Sequence, residues 1–568
     1  MTVDISVLIG GEAGQGIQTV GLLMAHTCHR AGLYVLAVND FESRIRGGHS
    51  FIQLRISDRP AHGPTRKLHM VVALDERTYG LHKSELTEGG LVLIPKDNAD
   101  TMTQQHRCKT VDFEGVAKKA GSSILANTVA AGACLSLLGA PFDLFENVLK
   151  ATFNQAGENR LAQNVQAAQY GYTAAEDETF KWSWRWAMTS PKGRLIDGAQ
   201  AMAFGALAGD CRFSAFYPMS PATGIIQHLV DMSQTVPLVI EQAEDEISAV
   251  NMIIGASFAG VRAMTATSGG GFSLMTEGLG LAAITETPIV IVNAQRPGPA
   301  TGLPTRTAQA DLQFVIHASQ DEFPRFVFAP GTPFEAFSVT SRAFELSERF
   351  QVPVIILVDQ YLNDSLFVAE ESFEAPETVA TYTAADDLED PSGYRRYALT
   401  DSGISPRYLP CKSPVLVKVC SDEHDEEGHI TEDAEIRNVM VTKRFAKLAD
   451  MRKEIRQPEV IHADSDILLI CWGSMHGAMV EAVNRLRADG LNCGGVHIVD
   501  MWPFPDAAVG EILGKAGKFF VVEQNQSAQL GQLIRQQTGY QYTDAVLKYN
   551  GRPMCAGEIT DIIKTKLR

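Results

Sequence analysis

The chain has 568 residues, more than one hydrophobic core usually organises, so three or four domains are expected. Hydrophobic residues at 45% and charged residues at 20% are ordinary for a globular protein. A formal net charge of −18 with no basic block argues against nucleic-acid and anionic-membrane partners, both of which need a positive face.

The N-terminal Met-Thr-Val-Asp-Ile has no basic region followed by an apolar run, so no signal peptide is read there. Residues 4–10 form a buried strand that enters Gly10-Gly11-Glu12-Ala13-Gly14-Gln15-Gly16-Ile17-Gln18-Thr19. Ile17, Val20, Leu22, Leu23 and Ala25 then follow helical spacing. Glycines between strand and helix either expose amides to a phosphate or make a structural turn; neither dinucleotide nor Walker spacing is present. Arg44, Arg46, Gly47, Gly48, His49 and Ser50 make a second candidate loop, for an anion or as a solvated turn. Further strands at 33–38, 70–74 and 91–94 complete a doubly wound domain over 1–180.

After a tryptophan-bearing linker (175–193), a second α/β series occupies 194–374, with strands at 213–217, 237–241, 262–265, 289–293 and 352–358. Tyr217-Pro218-Met219-Ser220-Pro221 follows its first strand, and each proline holds the residue before it in extended geometry. That places Ser220 at the carboxyl edge, where open parallel sheets bind ligands. Glu241, Glu244 and Glu246 cluster at the next strand-to-helix turn; acids there ordinarily answer the helix dipole, which accounts for at least two of them. Thr265-Ala266-Thr267-Ser268-Gly269-Gly270-Gly271-Phe272 and Asn293-Ala294-Gln295-Arg296-Pro297-Gly298-Pro299-Ala300-Thr301-Gly302 are two more loops at that edge, and convergence of polar loops there marks a site.

Periodicity fails over 375–455, which reads as a connector, and returns in a third, smaller α/β unit over 456–568, with strands at 466–472, 494–500 and 518–522. Nine cysteines lie scattered without a C-x-x-C pair, so reduced thiols, a cytoplasmic location and no iron–sulfur or other metal site on this chain are expected. No run approaches the length of a membrane span.

Taken in order, these segments resemble the 2-oxoacid:ferredoxin oxidoreductases, closest to the 2-oxoglutarate type. The Tyr-Pro-Met-Ser-Pro turn, Glu-Asp-Glu-Ile-Ser-Ala, Thr-Ser-Gly-Gly-Gly-Phe and Gln-Arg-Pro-Gly-Pro-Ala-Thr-Gly are specific in combination. The acidic piece Glu423-His424-Asp425-Glu426-Glu427-Gly428-His429 also recurs in the 2-oxoglutarate-like branch, and is read as connector rather than metal site. The resemblance implies a gamma-type domain (1–180) fused ahead of a pyrimidine-binding thiamine-diphosphate domain (194–374), then the connector and a transketolase C-terminal-like domain.

The resemblance also implies roles. Glu246, with Glu244 as fallback, matches the glutamate that contacts N1′ of the cofactor's aminopyrimidine. Arg296 matches the arginine for the substrate carboxylate; Ser220 stands where relatives often carry threonine, and Thr301 and Thr305 match the substrate-side loop. Coenzyme A contact is implied for Gly14, Gln15, Gly16 and Thr19. The Gly-Asp-Gly of a magnesium–diphosphate half-site has only Gly209-Asp210-Cys211 as its nearest string. A beta subunit is therefore implied to supply Mg2+, the diphosphate grip and a [4Fe-4S] cluster, in a dimer of heterodimers that reduces ferredoxin. A non-catalytic scaffold, or an enzyme of pyruvate or branched-chain 2-oxo acids, are the alternatives.

Overall fold

A computed structural model describes the chain except residues 1–2, 44–46, 98–105, 156, 178–181, 183–185, 187, 385–392 and 413–414. It is an α/β protein with three sheets among the described residues. Two compact units divide it: residues 1–196, 365–371 and 555–557 form the first, and 197–364, 372–554 and 558–568 the second.

In the first unit, β1 (Asp4–Ala13), β2 (Tyr34–Asp40), β3 (Gly47–Ser57), β4 (Leu68–Ala73), β5 (Leu86–Pro95) and β6 (Arg107–Val111) are joined by β7 (Arg194–Asp197) and the later β14 (Leu366–Ala369). The strand order is β6-β5-β4-β1-β3-β2-β14-β7. β1 runs parallel to β4 but antiparallel to β3, so the sheet is mixed rather than purely doubly wound. Val7, Leu8 and Ile9 are buried on both faces, the pattern of a central strand. The expected second loop is corrected here: Gly47–Ser50 open the long strand β3, while Arg44 and Arg46 lie outside the described residues. The alternation of Ile52, Leu54 and Ile56, all buried, carries the strand. Of the linker, Trp182 and Trp186 pack on the first core, and Trp186 Nε1 donates to the Leu138 carbonyl at 2.9 Å.

The second unit holds two sheets. The larger contains β8 (Phe213–Phe216), β9 (Val239–Gln242), β10 (Ala263–Thr267), β11 (Ile289–Gln295), β12 (Phe326–Phe328) and β13 (Pro353–Asp359), in the order β12-β13-β11-β10-β8-β9 and all parallel. From β8 the chain crosses outward to β9, then back over β8 to β10, so the connections reverse between β8 and β10. A crevice for ligands opens at such a reversal.

The smaller sheet is β15 (Glu459–Ile461), β16 (Ile467–Trp472), β17 (Cys493–Ile498), β19 (Lys518–Glu523) and β20 (Asp544–Leu547), ordered β15-β17-β16-β19-β20. The strand expected over 494–500 ends at Ile498; Asp500–Trp502 forms β18, which pairs antiparallel with β12 and so caps the larger sheet.

The connector is less irregular than expected, because it carries the 18-residue helix Ala434–Met451. Its buried residues are Met440, Lys443, Arg444, Lys447 and Met451, a helical stripe made mostly of cations. Lys443 Nζ and Lys447 Nζ each lie 2.6 Å from a carboxylate oxygen of buried Glu286, and Arg444 pairs with Glu423 at 2.7 Å. No helix among the described residues is long and apolar enough to cross a membrane.

Candidate active site

The loops after β8, β10 and β11 meet at the carboxyl edge of the larger sheet. Arg296 leaves β11 and its Nη1 donates to the Ser220 carbonyl at 2.7 Å, so one arginine ties the β11 loop to the β8 turn. Asn363 Nδ2 supports the same turn through the Pro221 carbonyl at 3.2 Å. Arg296 is half-buried, and burial lowers its pKa from the ordinary guanidinium value. Ser220 is also half-buried, on the turn that follows β8.

Next along the edge, helix Glu246–Phe258 begins with Asp245 as its cap, which accepts from Ser248 N at 2.7 Å. The cap does the helix-terminal work and leaves Glu246 free of it. Glu244 and Glu241 are exposed, whereas Glu246 is 3% exposed. Glu246 Oε1 is buried and has no hydrogen-bond partner among the described residues. It lies over Gly271: a Cβ there would stand 2.8 Å from Glu246 Oε1 and 2.1 Å from Thr267 Oγ1. Any side chain at 271 would fill the space that the carboxylate faces. Thr267 Oγ1 also lies 4.0 Å from Met219 Sδ, in the turn whose Ser220 carbonyl accepts from Arg296.

The other expected residues are placed as follows. Thr305 is buried at 7% exposure, and Thr301 is exposed on the loop after Arg296. Gly209-Asp210-Cys211 lies at the amino end of β8, away from the loops, with Asp210 paired to Arg212 at 2.6 Å. Gly14, Gln15, Gly16 and Thr19 belong to the first unit. There Gly14 (φ +95) is exposed, and Gly16 (φ +72) abuts Asn127 so closely that a Cβ would stand 1.8 Å from its Nδ2. Gln15 Oε1 accepts from Glu12 N at 2.8 Å, leaving its amide NH2 as a donor at the start of helix Ile17–Arg30. Thr19 is half-buried on the first turn of that helix.

Sequence reasoning missed a polar layer beneath these loops. Asn293 Nδ2 donates to Asp311 Oδ2 at 3.2 Å, while Asn293 Oδ1 and Ser268 Oγ are buried without partners among the described residues. Asp311 also accommodates Gly269, whose Cβ would come within 2.5 Å of Asp311 Oδ2; burial raises the Asp311 carboxyl to about 6. Asp311 lay outside the motifs, and only its neighbours reveal it.

Asp359, at the carboxyl end of β13, is 2% exposed and accepts from Leu362 N at 2.9 Å and from Ser474 Oγ. Burial raises its pKa to about 6 against the pull of those hydrogen bonds. Between roughly pH 4 and 6 the folded chain therefore keeps a proton that the unfolded chain has lost, and stability falls as pH rises through that window. Asp359→Asn should flatten this slope and stabilise the chain by up to about 2–3 kcal/mol at pH 7. Urea unfolding across pH 4 to 8 checks it; an unaltered slope rejects the assignment.

Comparison with known proteins covers the chain in three blocks. Residues 6–174 match the family of pyruvate ferredoxin/flavodoxin oxidoreductases. Residues 204–443 match the thiamine-diphosphate-binding domain of pyruvate flavodoxin/ferredoxin oxidoreductases, and 465–559 match core domain II of pyruvate:ferredoxin oxidoreductase. The chain is 32% identical to the alpha subunit of 2-oxoacid:ferredoxin oxidoreductase from Saccharolobus solfataricus over 630 residues, 99% of this chain and 97% of that one. It is also 32% identical to the 2-oxoglutarate synthase subunit KorA of Methanothermobacter thermautotrophicus over 371 residues, 65% of this chain and 97% of the relative. Among solved structures, the 2-oxoglutarate:ferredoxin oxidoreductase of Magnetococcus marinus, with 2-oxoglutarate, coenzyme A and succinyl-CoA bound, superposes with a TM-score of 0.90 at 30% identity, covering 100% of both chains. This chain belongs to the alpha subunits of the 2-oxoacid:ferredoxin oxidoreductases, and its enzyme is an oxidoreductase.

Proposed function

We propose that the chain is the gamma-fused alpha subunit of an enzyme that oxidatively decarboxylates 2-oxoglutarate with coenzyme A. The products are succinyl-coenzyme A and carbon dioxide, and the two electrons released go to ferredoxin. The observation that carries the reading is the buried, unpartnered carboxylate oxygen of Glu246 beside the side-chain-free position of Gly271. An orphaned acceptor in a dry crevice fits a ring nitrogen that arrives with the cofactor.

Glu246 would hold the aminopyrimidine end of thiamine diphosphate, with Gly271 leaving room for the ring. When bound, that cofactor supplies a carbon nucleophile for the 2-oxo group and an electron sink for decarboxylation. Glu246 shares a proton with the ring nitrogen and so governs its tautomer. Arg296, with one N–H engaged by Ser220, keeps the rest of its fork for the substrate carboxylate, and the Ser220 hydroxyl is at hand for the 2-oxo group. Thr301 and Thr305 belong to the substrate-side loop, and Gly14, Gln15, Gly16 and Thr19 are the proposed contacts for coenzyme A.

The same reading assigns 1–180, 194–374 and 456–568 to gamma-type, pyrimidine-type and transketolase C-terminal-like domains, with 375–455 as connector. The matches over 6–174 and 465–559 support the outer two, while the middle match over 204–443 runs on through most of the connector. A beta subunit holding Mg2+, the diphosphate and a [4Fe-4S] cluster completes the site in a cytoplasmic dimer of heterodimers. Support for 2-oxoglutarate comes from the similarity to the KorA subunits and the Magnetococcus enzyme.

Ferredoxin-linked turnover of the purified complex with 2-oxoglutarate, pyruvate and branched-chain 2-oxo acids tests the substrate. A preference for 2-oxoglutarate is expected; a preference for pyruvate overturns it. Arg296→Lys should lower kcat/KM by roughly a hundredfold, about 2–3 kcal/mol, chiefly through KM, because a lysine cannot reproduce the forked grip. An unchanged KM removes Arg296 from the substrate site.

A further inference from the structure

The second unit carries a group of nitrogen and carboxylate donors that the oxidoreductase site does not use. Glu459 in β15, His476 at the start of helix His476–Ala488 and His497 in β17 each offer one ligand atom, all within 4.8 Å of one another. His476 Nε2 lies 2.8 Å from Glu459 Oε2. Glu335, in helix Pro333–Phe350, brings its Oε1 to 3.6 Å from His497 Nδ1.

His497 is the informative member. It is fully buried, and its Nε2 lies 3.2 Å from the Gly473 carbonyl oxygen. A carbonyl only accepts, so Nε2 carries the hydrogen; in the neutral ring Nδ1 then presents a lone pair, and in the imidazolium it carries a proton toward Glu335. Nδ1 is buried without a hydrogen-bond partner among the described residues and faces the Glu335 carboxylate, itself an acceptor. Two opposed acceptors are unfavourable unless a positive charge stands between them, either a proton on Nδ1 or a metal ion that takes its place. An imidazole whose far N–H is anchored on a backbone carbonyl, with its lone pair turned toward carboxylates, has the second-shell geometry of a metal-ligating histidine.

We propose that Glu459, His476 and His497, with Glu335 as fourth donor, bind a divalent transition-metal ion of the zinc type. Two imidazoles select such an ion over magnesium or calcium, which prefer all-oxygen shells. Two carboxylates and two neutral imidazoles also balance its charge. Zinc–ligand distances of about 2.0–2.1 Å put tetrahedral ligand atoms roughly 3.4 Å apart. Binding would open the 2.8 Å contact between His476 Nε2 and Glu459 Oε2 and draw the donors together around the ion. Glu459, whose side chain is 51% exposed, has room to move and opens the cluster to solvent. The ion would staple the smaller sheet to the helix Pro333–Phe350 that packs on the larger one. The ligands come from four separate elements, so no local spacing announces them.

The full-length chain, stripped with a chelator and titrated with Co2+, should develop the visible absorption of a tetrahedral site at one ion per chain, displaced by Zn2+. Losing an outer-shell partner of a metal site costs about 10- to 100-fold in affinity, so losing a ligand should cost about a hundredfold or more. His476→Ala and Glu459→Gln should each show that loss, and Zn2+ should raise the thermal midpoint of wild type but not of these two variants. His429→Ala, at an exposed histidine elsewhere, should bind as wild type does. Absence of the cobalt band in wild type, or its survival in both ligand variants, overturns the site. Glu459 is exposed, so its substitution leaves a folded chain with which to decide.

Discussion

Glu246→Gln should lower turnover of the assembled enzyme by about 10²–10⁴-fold, the usual worth of a positioned proton-transfer group, while leaving the chain as stable as wild type or more so. The two halves of this expectation have one cause. Glu246 is 3% exposed and its Oε1 has no hydrogen-bond partner among the described residues. A buried acceptor left unsatisfied costs about 1–3 kcal/mol, a cost that a ligand-completed site can carry but a structural residue would not. Glutamine keeps the shape but lacks the acid–base group that the proposed role requires. Glu244→Gln, at the exposed neighbouring position, should leave turnover near the wild-type value. Steady-state rates and denaturant unfolding of the cofactor-free chain check both halves. Full activity in Glu246→Gln removes Glu246 from the mechanism, and a marked loss of stability would make its role structural.

The larger sheet was the most legible part of the chain, because parallel strands buried on both faces read as apolar runs: Ile289–Gln295 and Pro353–Asp359 are buried throughout. Its carboxyl-edge loops were legible because glycine and proline interrupt those runs at the sites of sharp turns. Choosing among Glu241, Glu244 and Glu246 was a different problem. All three are alike in sequence, and what separates them is that Asp245 takes the cap and turns Glu246 inward. Gly47–Ser50, the first residues of strand β3, read as a loop because Gly47 and Gly48 mask the strand's start, although Ile52, Leu54 and Ile56 alternate correctly further along. The helix Ala434–Met451 was hidden for a chemical reason: its buried stripe is Lys443, Arg444 and Lys447, and a search for apolar periodicity passes over cations. Burial of those cations depends on acids far away in sequence, which no local window contains.

Glu286→Gln, accordingly, should loosen the connector more than any surface change. Glu286 is 1% exposed and sits between Lys443 Nζ and Lys447 Nζ, each at 2.6 Å, while Arg396 donates to its backbone carbonyl at 2.8 Å. Burial pushes its carboxyl up, but the Lys447 and Lys443 ammonium groups outweigh that and hold it well below the ordinary carboxylate range. Glu286 also adopts φ 49, a left-handed conformation that costs a non-glycine residue roughly 1–2 kcal/mol. The backbone alone would favour glycine there; the side chain is kept for its charge. Neutralising it strands two buried ammonium groups, and breaking a buried pair in this way costs about 3–5 kcal/mol. Local opening of helix Ala434–Met451 should then become about a hundredfold or more frequent, read as faster amide hydrogen exchange there, with β1–β6 unaffected. Glu286→Gly separates backbone from charge: it relieves the left-handed strain yet should still accelerate exchange, because the lysines remain unpaired. Replacing Glu286, Lys443 and Lys447 together by leucine and methionines should restore protection, since an apolar set of similar volume needs no counter-charge. Exchange in Glu286→Gln at the wild-type rate would show that the lysines find other partners, and that the connector is held by packing alone.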